Sequence, residues 1–93
     1  MYVIEAFGDN GQSTGYLSEV DFEANGPNYP TGDVACTADP ALALQFASAD
    51  QALAFILTRS TTCPRRPDGG INRPLRALNL KIIELHKTDG GGG

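Results

Sequence analysis

The stretch from Asp39 to Ser60 constrains this chain most. It carries clear helix grammar, and short apolar runs broken by Gly and Pro lie on both sides of it. Asp39-Pro40 supplies an N-cap acceptor followed by a proline at the first helical position. Ala41 to Phe46 then has the length of about two turns. Ser48, with Gln51 three residues on, has the form of a capping box. From there Ala52, Leu53, Phe55 and Ile56 recur at helical spacing as far as about Ser60. The spacing predicts two short consecutive helices.

The flanks read as strands. In Tyr2-Val3-Ile4-Glu5-Ala6-Phe7, Val3 and Glu5 oppose Tyr2, Ile4 and Ala6 across the pleat. Gly8-Asp9-Asn10-Gly11 favours a hairpin turn, with Gly15 to Val20 as the returning strand. Residues 21–33 form an excursion with two turn signatures, in which Tyr29 reads as a pin to the core or an outward contact. Val34 to Thr37 is a third short strand. Thr61 to Pro74 holds three prolines, two glycines and three arginines, and reads as a loop. Leu75 to Lys87 reads as a long closing strand, with Leu78, Leu80 and Ile82 on one face and Ile83 and Leu85 on the other. The order predicts an α+β domain over residues 1–87: a three- to four-stranded antiparallel sheet with one or two consecutive helices packed on one face. The last strand is expected beside the first, and residues 88–93 form a flexible Gly-rich tail.

Charge is sorted along the chain. Met1 to Thr58 holds eight acids and no Lys or Arg, whereas all seven basic residues follow from Arg59 onward. The net charge is −4. Such segregation steers charged partners and says little about fold. Within the basic part, Arg65-Arg66-Pro67-Asp68-Gly69-Gly70-Ile71-Asn72-Arg73-Pro74 is the leading binding segment, with Arg65, Arg66, Asp68, Asn72 and Arg73 as contact residues and Arg76 extending the patch. Arginine presents a planar fork that pairs bidentately with carboxylate or phosphate, and flanking prolines limit the freedom lost on binding. The competing reading is a solvated loop whose arginines pair with the acidic half. In the acidic part, Glu19, Asp21 and Glu23 alternate along one strand face, roughly 6–7 Å apart. They form a candidate contact row or, the favoured alternative, an exposed face kept soluble.

The residues offer little for catalysis. His86 is the lone histidine, and Cys63 beside Arg65 and Arg66 is the one candidate nucleophile. Cys36 and Cys63 lack the spacing of a metal or redox pair, and a disulfide between them is disfavoured in a reducing compartment. No cofactor, metal site or catalytic residue is expected. No apolar run reaches the roughly 20 residues of a membrane span. The start Met1-Tyr2-Val3-Ile4-Glu5 lacks a basic leader, so the expected setting is the cytoplasm. Nucleic acid is a weaker expectation than a protein partner, because the clustered positives are few and have few aromatics near them. Monomer and homodimer both remain open.

Tyr2-Val3-Ile4, Thr37-Ala38-Asp39-Pro40-Ala41-Leu42-Ala43 leading to Phe46, and Ser48-Ala49-Asp50-Gln51-Ala52 before a final strand resemble the small single-domain proteins of phages and prophages. The resemblance covers most of residues 1–87 and carries no catalytic motif. It implies a non-catalytic binding module acting on a host macromolecule, of the kind that inhibits host proteins such as CRISPR effectors. The alternative is a nucleic-acid-binding accessory protein using the basic half, and a third reading is a small enzyme built on Cys63.

Overall fold

In the computed structural model, which describes residues 1–28 and 30–85, four strands form one antiparallel sheet. They are β1 (Tyr2–Phe7), β2 (Ser13–Asp21), β3 (Asp33–Thr37) and β4 (Asn79–Glu84). Among the described residues one α-helix, α1 (Ala49–Ile56), packs on one face against β1 and β4. The order β3-β2-β1-β4 places the first strand inside and the last beside it, as expected. Tyr29, His86, Lys87 and the 88–93 tail lie outside the described residues.

Alternation in β1 sends Ile4 and Ala6 into the core, where Leu17, Ala52, Ile56 and Leu75 meet them. Their β4 neighbours in register, Ile82 and Leu80, pack on the same cluster. Val3 faces the other way, opposite Ile83, and is buried too. In β2 the register shifts between Leu17 and Glu19, so Ser18 is an extra residue. That bulge changes the inward parity from Leu17 to Val20, which leaves Glu19 and Asp21 exposed.

The second helix start behaves as its sequence demands. Ser48 Oγ accepts the Gln51 amide at 3.1 Å, and Gln51 Oε1 reaches back to the Ala47 amide at 3.1 Å. The helix stops at Ile56 rather than near Ser60. The first start gives less than its grammar promised. Asp39 Oδ1 does accept the Ala41 amide at 2.9 Å, but the turn is a 3₁₀ helix over Pro40–Leu42 only, and Ala43 is already extended. Tertiary pairing overrides local propensity here. The Leu44 amide donates to Leu17 at 2.9 Å, and Phe46 exchanges both backbone bonds with Tyr2 at 2.8 Å. The segment thus fills the gap where β1 and β2 diverge.

The closing segment also departs from expectation. Pro74–Ala77 is a 3₁₀ turn that buries Pro74 and Leu75, and strand structure begins only at Asn79. The proline at the first helical position and the bonds Arg76 N to Arg73 O (2.9 Å) and Leu78 N to Leu75 O (3.1 Å) hold that turn.

Candidate functional site

The arginine-rich loop folds as a small hairpin. The Gly69 amide donates to Arg66 O at 2.9 Å and the Arg66 amide to Gly70 O at 2.7 Å, with Pro67-Asp68 at the tip. Gly69 takes φ +89°, the left-handed geometry such a turn needs. Asp68 Oδ1 accepts the Gly70 amide at 2.9 Å, and Arg65 Nη1 donates to Gly69 O at 3.2 Å. Asp68 is therefore turn chemistry before it is anything else.

Asn72 anchors the hairpin. It is 2% exposed, and its Nδ2 donates to Pro30 O (3.2 Å) and Cys63 O (3.0 Å). Its backbone bonds Pro64 O and the Ser60 amide. The expectation that Asn72 is an accessible contact gives way to a structural role, because the side chain is buried and its amide donates to the buried Pro30 carbonyl and the part-buried Cys63 carbonyl. Arg73 is divided: its Nε donates to Leu57 O at 2.8 Å and closes the C-terminal end of α1.

The hairpin, the 30–32 loop and the Pro74–Ala77 turn enclose a groove of about 370 Å³. Arg66, Arg73 and Arg76 line it together with Pro30, Ile71 and Pro74, and among the described residues no Asp or Glu does. Gly32 forms part of the approach: its φ is +77°, and a Cβ there would sit 2.8 Å from Pro74 Cβ. Arg66 Nη2 lies 3.3 Å from Asp68 Oδ2, an exposed pair worth little to stability. Among the described residues, neither Arg73 nor Arg76 has a carboxylate oxygen within 4.0 Å. The structure thus brings three of the four expected arginines to one concave surface and leaves Arg65 outside it.

The acidic row does not survive as a row. β2 ends at Asp21, residues 22–25 turn away, and Glu23 faces the segment after α1. Its carboxylate accepts from Ser60 Oγ (2.5 Å), the Thr61 amide (2.8 Å), Thr61 Oγ1 (3.2 Å), the Thr62 amide (3.1 Å) and Thr62 Oγ1 (2.6 Å). These donors, led by the Ser60 hydroxyl and then the Thr62 hydroxyl, hold its pKa down at about 2. Sequence reading missed this cluster. Its visible signal was three consecutive hydroxyl residues, Ser60-Thr61-Thr62, a few positions beyond the end of α1. Glu19 and Asp21 remain exposed on one face, with Asp33 directly opposite Asp21.

Both cysteines are free thiols. Cys36 is exposed on β3, and Cys63 Sγ faces the carbonyls of Asn28 (2.8 Å) and Arg65 (3.2 Å). Among the described residues, no three His, Cys, Asp or Glu side chains are grouped to hold a metal ion, and no helix is long and apolar enough to cross a membrane.

No family model matches the chain, and neither does any curated protein or solved structure.

Proposed function

We propose that the protein is a non-catalytic binding module that takes a carboxylate-bearing surface of a partner protein into the groove of Arg66, Arg73 and Arg76. One observation carries this reading: three arginines from a hairpin and the adjoining 3₁₀ turn line a single groove that no acid among the described residues lines. Guanidinium groups in a concave site offer forked donors to a carboxylate, and the turns that present them are already ordered before binding. Such a groove suits the inhibitor role that the phage-type resemblance implies.

The nucleic-acid reading draws less support. Phe22, Phe46 and Phe55 pack on one another against the core, with ring centroids 5.3 and 5.2 Å apart, so they offer no stacking platform beside the arginines. The net charge of −4 also opposes a phosphate backbone.

The test is affinity capture from bacterial lysate, with and without nuclease, comparing wild type with Arg66→Glu/Arg76→Glu. Arg73 is left intact because it closes α1. A defined protein held by wild type, lost by the variant and indifferent to nuclease supports the reading. Capture abolished by nuclease turns it toward nucleic acid, and equal capture by both proteins removes the groove from consideration.

A further inference from the structure

Strand β4 is an edge strand: it pairs with β1 on one side, and no described strand lies on the other. The Leu85 amide donates to Met1 O at 2.8 Å. By the alternation of an antiparallel ladder, the N–H and C=O groups of Leu80, Ile82 and Glu84 then point out of the sheet. Beside this edge runs an apolar groove of about 410 Å³ between α1 and β4, lined by Leu53, Ile56, Leu78, Leu80 and Ile82. Leu53 is 46% exposed and Leu78 39%, unusual for large aliphatic side chains sharing one concave surface. Among the described residues, Arg76 and Lys81 are its charged lining residues and no acid lines it. Arg76 lines the arginine groove as well, so the two depressions meet at that side chain.

We propose that an extended segment of the partner adds to β4 as a fifth, antiparallel strand, with alternate apolar side chains in the Leu53–Leu78 groove and acidic residues toward its C-terminal end. Every pairing in the sheet is antiparallel, so the added strand is taken as antiparallel too, and the charge pattern then fixes which of its ends is acidic. Arg76 precedes β4, and the exposed Glu84 closes it. A strand antiparallel to β4 runs from Glu84 toward Arg76, so its acidic C-terminal part reaches the arginines while its N-terminal part avoids like charge. Main-chain bonds to the open edge give affinity, and the groove gives specificity for alternate residues. The inference rests on the anion-binding reading of the arginine groove and names the kind of segment that groove would take.

The experiment selects peptides from a random linear library on the whole protein, then resynthesises the winners with N-methyl groups on alternate backbone amides. Enriched sequences should alternate apolar and polar residues and carry Asp or Glu near the C-terminal end. N-methylation in one of the two phases should weaken binding by at least about tenfold, equivalent to about 1.4 kcal/mol. Leu53→Asp, at an exposed position that leaves folding checkable by thermal melting, should do the same. If both N-methyl phases bind as well as the parent peptide, strand addition is wrong. The anion groove nonetheless stands if Arg66→Glu/Arg76→Glu still abolishes that binding. Winners that are not acidic and ignore the arginine variant would sink both readings. Failure to enrich any peptide overturns strand addition alone. So does a concentration-dependent dimer that Leu53→Asp dissolves, since the edge would then belong to a second copy of this chain.

Discussion

Ser60 Oγ lies 2.5 Å from the Glu23 carboxylate across 37 positions of sequence, and the hydroxyls and amides of Thr61 and Thr62 complete the cluster. The acidic and basic parts of the chain are thus joined here by neutral donors on one carboxylate rather than by ion pairing. The cluster ties the 22–25 turn to the segment that leads into the arginine hairpin, and the Ser60 amide donates from it to Asn72 O at 3.0 Å. Ser60 Oγ also accepts the Cys63 amide at 3.0 Å, extending the same tie one step toward the loop.

Acid should therefore loosen this junction in a definite window. The Glu23 carboxyl is lowered from 4.5 to about 2, chiefly by the Ser60 and Thr62 hydroxyls and the Thr61 amide. A carboxyl depressed in the folded state stabilises fully above its unfolded value and loses that contribution as pH falls through its folded value. Wild type should lose thermal stability between about pH 4.5 and pH 2. Glu23→Gln should melt several degrees lower at neutral pH, and its gap from wild type should close across that window. Melting curves by circular dichroism over a pH series test this. A gap that stays constant would show that ionisation of Glu23 is not the cause.

Asn72→Ala should cost on the order of 2–3 kcal/mol, because it strips the buried Pro30 carbonyl and the part-buried Cys63 carbonyl of their donor and leaves a small void. Urea denaturation would measure the loss. Asn72→Asp should be no better, since its carboxylate would face those same two carbonyl oxygens.

Where local chemistry and tertiary demand agreed, the sequence was readable. The Ser48–Gln51 start, the Gly8–Gly11 turn and the alternation in β1 follow from nearest-neighbour rules, whereas the place of the last strand beside the first was legible only from the order of the elements. Leu44–Phe46 misled because backbone partners on Leu17 and Tyr2, remote in sequence, outweighed a good N-cap at Asp39. The arginines were visible as a run, but their division of labour was not. Nothing local shows that Arg73 reaches Leu57, that Arg65 turns back on its own hairpin, or that Glu23 is taken by Ser60. Each depends on a contact between segments that only the folded chain brings together.

The two thiols should differ in access. Cys36 is exposed, whereas Cys63 is half-buried against the carbonyls of Asn28 and Arg65. Iodoacetamide in limiting amount should label Cys36 first, as read by peptide mass spectrometry, and mild denaturant should narrow the difference. Preferential labelling of Cys63 in the native protein would instead revive the nucleophile reading of that residue.

The arginine groove can be separated into scaffold and contact residues. Arg73→Ala removes the donor on Leu57 O and should cost about 1 kcal/mol of stability. Arg76→Ala, exposed and without a carboxylate partner among the described residues, should stay within about 0.5 kcal/mol of wild type. Both should weaken partner binding, so only the second isolates recognition from folding. Gly70→Ala gives an independent check on Arg66. A Cβ at Gly70 would overlap Arg66 Nη2 outright and sit 3.1 Å from Arg66 Nε and 3.2 Å from its Cζ, while Gly70 itself does not take a positive φ. The backbone tolerates the change, and the flexible guanidinium must swing off the hairpin. Stability should change little, yet affinity for an acidic partner should fall to that of Arg66→Ala. If Gly70→Ala binds as wild type while Arg66→Ala does not, the bound guanidinium takes another rotamer, and its pairing with Asp68 is broken on binding rather than preserved.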